Sequence, residues 1–163
     1  MSQNIVIRKV IPNDNLALAI MIREVFDEHG APTLGTVYSD PTTDNLYQLF
    51  QEPNSVLLVA LVNKQPVGCC GVYPTQGLEQ GYAELVKFYL AEQHRGVRIG
   101  RNLMEQCIES AKEMGYKYLY LESMPEFAKA VRIYENLGFT HLSHPLGNSG
   151  HSGCTIWMVK ELW

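Results

Sequence analysis

Cysteine is scarce in this chain, with four among 163 residues. Two of them, Cys69 and Cys70, are adjacent. Neighbouring residues in a strand face opposite ways, so the pair offers no disulfide framework, and reduced thiols in a cytosolic protein are the expectation. Charge is also sparse, at 18% of residues, and its balance is −4. A general nucleic-acid binder needs a broad basic face, so no nucleic-acid partner is expected. Long apolar runs are missing: the longest, Val56 to Val62, is far too short to cross a bilayer. The start, Met1-Ser2-Gln3-Asn4, has no basic segment followed by an apolar one, so no secretory signal and no membrane partner are expected, and a cytoplasmic location is. There is no Gly-x-x-x-x-Gly-Lys loop and no Gly-x-Ser-x-Gly elbow, which excludes the common phosphate-binding and serine-hydrolase signatures. Repeats, low-complexity tracts and linkers are absent as well. With 46% apolar residues, the length suits one domain spanning 1–163 with a substantial core.

What is present is a regular alternation of elements. Asn4 to Val10 alternates as a strand, and Pro12-Asn13-Asp14 supplies a turn and cap. Leu16 to His29 carries apolar residues at helical spacing and stops at Gly30, before a loop over 31–43. Asp44 to Gln51 reads as a short helix, with Asp44 a candidate cap. Ser55 to Val62 and Pro66 to Tyr73 form a hairpin through Asn63-Lys64-Gln65, and Tyr82 to Leu90 is a fourth strand. A helix over 99–114 ends at Gly115, Lys117 to Glu122 is a strand, and Pro125 opens a helix that runs to Leu137. Phe139 to Ser143 and Cys154 to Lys160 close the chain as strands around a polar loop. The order β-α-α-β-β-β-α-β-α-β-β predicts the α/β class: a mixed sheet of about seven strands flanked by about four helices. The strands at 82–90 and 117–122, joined through a helix, should run parallel.

The most informative stretch is Gln93-His94-Arg95-Gly96-Val97-Arg98-Ile99-Gly100-Arg101, a glycine-bearing turn between a strand and a strongly periodic helix. Such a turn aims backbone N–H groups and a positive helix end at one spot, and three arginines add charge-assisted donors. It therefore suits a ligand with phosphate groups. Downstream, Ala128-Lys129-Ala130-Val131-Arg132-Ile133-Tyr134-Glu135-Asn136-Leu137-Gly138-Phe139 forms an A-x-x-x-Y-x-x-x-G-F-like run. Together with the element order, these two motifs resemble the GCN5-related N-acetyltransferase (GNAT) superfamily over nearly the whole chain. Arg95 and Gly100 match the family's Gln/Arg-x-x-Gly-x-Gly/Ala signature, while Arg98 stands where its first glycine is usual. The family's frequent asparagine near the start of the later helix is replaced near Phe127. The resemblance implies the GNAT acyl-CoA N-acyltransferase fold and acetyl-CoA as acetyl donor. Its pyrophosphate would lie on Arg95, Gly96, Val97, Arg98, Ile99, Gly100 and Arg101. Its pantetheine arm would lie beside the backbone of Phe88, Tyr89 and Leu90, in a gap where two strands splay.

Acetyl transfer to an amine requires a neutral nucleophile, a stabilised oxyanion and a protonated leaving thiolate. At the family's tyrosine position, Tyr134 is the implied acid; a packed helix tyrosine is the plainer alternative. Glu84, a carboxylate in an apolar strand, is the candidate base, since burying it without a role is costly; a salt bridge with Lys87 or a surface position would be ordinary alternatives. Glu122 and a water chain compete for the same task. The expected activity is transfer of acetyl from acetyl-CoA to a primary amine, small or on a protein, by direct attack in a ternary complex. An acyl-CoA-binding module without turnover is the rival reading. His141, His144, His151 and Cys154 bring zinc-ligand types close in sequence, but the spacing matches no finger pattern and no metal is expected. The loop Pro145 to His151 could border the acceptor, and Tyr38, Asp40 and Asp44 could recognise a cationic amine. Dimers are common in this family, so a homodimer is open.

Overall fold

The computed structural model describes residues 3–96 and 98–163. Its strands are β1 (Ile5–Lys9), β2 (Val56–Val62), β3 (Gln65–Tyr73), β4 (Tyr82–Leu90), β5 (Tyr118–Ser123), β6 (Thr140–Leu142) and β7 (Ile156–Glu161). Its helices are α1 (Asn15–His29), α2 (Leu46–Leu49), α3 (Ile99–Glu113) and α4 (Ala128–Asn136). The strands form one sheet in the order β1-β2-β3-β4-β5-β7-β6. Only the β4–β5 neighbours run parallel; the other pairs are antiparallel. This is the mixed α/β sheet expected from the element order.

The period of two along β2 explains its unbroken apolar run. Val56, Leu58, Ala60 and Val62 face the core beneath α3 and α4, together with Leu103, Met104 and Cys107 of α3. Leu57, Val59 and Leu61 face the opposite core, with Leu18, Ile22 and Phe26 of α1. A central strand covered on both faces needs apolar residues at every position. Cys70 faces the first core and Cys69 the second, as their adjacency requires. The β2–β3 hairpin turns on Asn63 and Lys64, both left-handed (φ 49° and 71°), so Gln65 already belongs to β3.

Around α2 the expected helix over 44–51 shortens to a single turn. Asp44 does not cap it, because its carboxylate forms a two-point ion pair with Arg23 of α1. A 3₁₀ turn at Pro41–Asp44 takes its place, with Asp40 accepting from the Thr42 N–H.

Two features of β4 open the molecule at its centre. Pairing with β5 is confined to Tyr82–Glu84 against Tyr118–Tyr120. Further along, Lys87 and Phe88 together oppose Cys70, a β-bulge with Lys87 in the left-handed region at φ 57°. An extra residue on one strand bends that strand away from its neighbours. Meanwhile β5 continues alongside β7 to Ser123. The two strands thus part after Glu84.

Candidate functional site

Three cavities meet at this parting. A groove of about 470 Å³ runs along the α1, α3 and α4 ends, lined by Phe88, Tyr89, Leu90, Arg95, Gly96, Arg98, Gly100 and Arg101. It shares Phe88, Tyr89 and Phe127 with a small chamber of about 50 Å³ between β4, β5 and α4. The chamber in turn shares Glu84, Val86, Lys87 and His151 with a polar cleft of about 400 Å³ on the other side. A ligand can therefore run from the basic turn, past the open edge of β4, to a second ligand entering from the cleft.

The groove combines an apolar wall with cations. Gly96 (φ 84°) and Arg98 (φ 66°) both adopt the left-handed backbone, and Arg98 immediately precedes α3. Arg98 thus takes the conformation that glycine would adopt freely, at a cost of about 1–2 kcal/mol, so the turn keeps its shape without the signature glycine. Gly100 serves a different need: a Cβ there would stand 3.1 Å from Phe88 Cζ, so its absence lets α3 approach β4. The Arg95 guanidinium lies on Glu28 of α1 and on the Leu90 carbonyl, the latter at 2.8 and 3.1 Å. That side chain pins the turn to the end of β4. The Ile99 side chain is in the core beneath α3, and Ile99 does not line the groove. Arg101 is paired with Glu105 one helical turn on. Val97 lies outside the described residues.

Glu84 and Tyr134 line the same chamber although 50 positions apart in the chain. Glu84 is 4% exposed and accepts a 2.6 Å hydrogen bond from Thr75 Oγ1. Burial, helped by the nearby Glu122, pushes its carboxyl up to about 7, against the pull of Thr75 and Lys87. Such a group is poised to exchange protons near neutrality. Tyr134 packs edge-on against Phe88 and Phe139. Burial raises its phenol well above the ordinary value, so it enters any reaction protonated. Glu122, the competing carboxylate, is engaged at both oxygens, by Tyr120 Oη and by Ser149 Oγ. Tyr120 Oη also accepts the Leu146 N–H, so Glu122 and Tyr120 together hold the β6–β7 loop.

That loop does border the cleft, through Asn148, Ser149 and His151. His151 Nε2 lies 2.8 Å from Asp40 Oδ2, tying the loop to the segment before α2. Burial works to raise the Asp40 carboxyl, but bonds from His151 and Thr42 outweigh it and hold the group at about 2. Asp40 lines the cleft, whereas Asp44 and the Tyr38 carbonyl are bound by Arg23 and neither residue lines it. His141 pairs with Glu135. Among the described residues no group of three or more His, Cys, Asp or Glu side chains is arranged to hold a metal ion.

The sequence reading did not place three residues in the site: Thr75 was not singled out, Cys154 was weighed only as a zinc-ligand type, and Lys87 only as an ordinary partner of Glu84. Thr75, from the loop after β3, orients Glu84. Cys154 lines the chamber, but burial pushes its thiol up to about 12, which makes it a poor nucleophile. Lys87 reaches the chamber and the cleft only because of the bulge, and no sequence pattern announces a bulge at a lysine.

Comparison with known proteins agrees with this architecture. The profile of the Acetyltransferase (GNAT) family matches residues 22–139. The uncharacterised N-acetyltransferase YjgM of Escherichia coli (strain K12) is 36% identical over 161 residues, covering 98% of this chain and 96% of that protein. Among solved structures, a GNAT-family acetyltransferase from Staphylococcus aureus Mu50 superposes with a TM-score of 0.86 at 19% identity, covering 98% of this chain and 100% of that one. An acetyltransferase from Salmonella typhimurium, solved with acetyl-CoA, superposes with a TM-score of 0.77 at 19% identity, covering 98% and 95%. At such identities the two structures establish the fold.

Proposed function

The chain belongs to the acetyltransferase (GNAT) family, and on that premise we propose that residues 1–163 form one N-acetyltransferase domain using acetyl-CoA and a primary amine together. The observation that carries this reading is the chamber holding Glu84 and Tyr134 between a basic, apolar groove and a polar cleft. The groove fits the donor: free backbone along β4 for an amide-bearing arm, and a turn of N–H groups with Arg98 and Arg101 for a pyrophosphate. Acetyl-CoA supplies the acetyl group as a reactive thioester.

The roles follow from position. Glu84, half ionised near neutrality and held by Thr75, in its ionised form takes a proton from the amine as the nitrogen bonds to the acetyl carbon. A backbone N–H of β4 near Phe88 or Tyr89 steadies the carbonyl oxygen as it gains charge. Tyr134 gives its proton to the sulfur as the carbon–sulfur bond breaks, leaving an N-acetylated amine and free thiol. Glu122 is committed to Tyr120 and Ser149 and acts on loop position rather than on the proton. A module that only bound acyl-CoA would not need a carboxyl and a phenol facing one chamber between the groove and a second, polar cleft.

Calorimetric titration with acetyl-CoA, with ATP as control, followed by a thiol-release screen of amines, tests this reading. Acetyl-CoA binding with amine-dependent thiol release is the expected result. Absence of binding, or binding without release from any amine, overturns it.

A further inference from the structure

The cleft contains a buried lysine that the fold leaves without an ion pair. Burial lowers its ammonium from the ordinary value, and Asp40 and Glu84 act from a distance to hold the proton on it. Lys87 is 6% exposed and lines both chamber and cleft. Among the described residues, no carboxylate stands within 4.0 Å of its ammonium. The nearby acids are otherwise engaged. Asp40 accepts from His151, from the Thr42 N–H at 2.9 Å and from Thr42 Oγ1 at 2.7 Å. Glu84 is turned to Thr75, and Glu52 is exposed at the cleft's rim. Buried charges are ordinarily paired, because an isolated one forfeits its hydration without return.

The backbone is shaped to put this ammonium there. Ala83 and Leu85 face the α3 core, and plain alternation would send Lys87 after them. The bulge instead brings Lys87 round to the side of Val86 and Glu84. It does so with a lysine in a conformation that favours glycine. Strain of that kind collects at ligand sites.

We propose that Lys87 binds a carboxylate of the acceptor, so that the substrate is a free amino acid or similar small zwitterion, seated with its carboxylate on Lys87 and its amine toward Glu84. This rests on the acetyltransferase reading above. A carboxylate would complete a charge-assisted bond in a poorly hydrated site. A diamine or polyamine would set a second cation against Lys87, and a protein side-chain amine brings no carboxylate with it.

The test is thiol release with acetyl-CoA across matched pairs of L-amino acids and their carboxamides. At neutral pH the amides carry the less basic and so more available amine, so a preference for the acids has to come from the site. The acids are expected to exceed their amides in kcat/KM by about tenfold or more. Lys87→Met and Lys87→Gly should each abolish the preference while leaving acetyl-CoA affinity unchanged, and Lys87→Arg should restore part of it. The glycine variant suits the left-handed backbone and guards against misfolding. Equal rates for both series, faster amides, or an acid preference that survives loss of the ammonium overturns the inference and leaves the acetyltransferase reading standing. Release from no amine at all removes both.

Discussion

Replacing Glu84 with glutamine should make the protein more stable and less active at once. Its carboxyl titrates at about 7 in the fold against an ordinary 4.5, chiefly through burial. The folded state therefore holds the proton more tightly than the unfolded chain. The native protein loses stability as pH rises from about 4.5 through about 7, and the loss levels off above that. Glutamine keeps the shape and can still accept from Thr75, but does not titrate. Between about pH 5 and about pH 8.5, the stability of Glu84→Gln relative to the parent should grow by about 2.5 kcal/mol. Urea unfolding at both pH values measures this directly. Over the same range, the parent's kcat/KM should rise through about pH 7, while the variant lacks that limb and falls by ~100-fold above it. Parallel stability profiles would refute the raised titration. An unchanged rate profile would refute the role as base.

Other outcomes follow from the same geometry. Tyr134→Phe should lower kcat by ~100-fold with acetyl-CoA affinity nearly unchanged in calorimetry, since the ring packing survives and only the proton is lost. Arg98→Gly should raise the urea midpoint, by about 1 kcal/mol of stability, through relief of the left-handed backbone, and should still bind acetyl-CoA. Asp40→Asn should loosen the β6–β7 loop and raise the acceptor KM more than it lowers kcat. Because the Asp40 carboxyl is held at about 2, its contribution is present above its ordinary value of 3.8 and fades as pH falls toward 2. The variant's stability deficit should therefore shrink in acid unfolding.

Element type and order were legible in the chain because each element carries a local signal. In α3 the apolar spacing ends at Gly115 (φ 90°), and in β2 both faces are apolar because both are covered. The basic turn and the later tyrosine were legible for the same reason, as short motifs in a fixed frame. Glu84 stood out as a lone acid among apolar neighbours. What stayed hidden depends on contacts between distant segments. The commitment of Arg95 to Glu28 spans 67 positions, and the Asp40–His151 link spans 111. The helix expected over 44–51 failed on a contact of the same sort, the capture of Asp44 by Arg23. The β4 bulge depends on how the strand meets β3, and that register is not written in either strand alone.

The destabilising choices in this protein are concentrated where the strands part. Among the described residues outside glycine, five adopt positive φ. Asn63 and Lys64 make a hairpin, and Asn54 lies in the turn before β2, where such a conformation serves a reversal of the chain. The other two, Lys87 and Arg98, lie on a strand and at a helix start, one toward the cleft and one toward the groove. At both, glycine would suit the backbone better, by about 1–2 kcal/mol against a residue with a Cβ. The same gap holds the buried Glu84 and the buried Lys87 without an ion pair between them. Each feature weakens the folded state, and each places a charge or a proton facing a cavity. A core selected for stability alone would fill these positions with glycine and apolar side chains. Binding of two anionic groups, a pyrophosphate on the turn and a carboxylate on Lys87, would offset the cost, so CoA, which carries no acetyl group to transfer, and an amino acid added together should raise the Tm more than either alone.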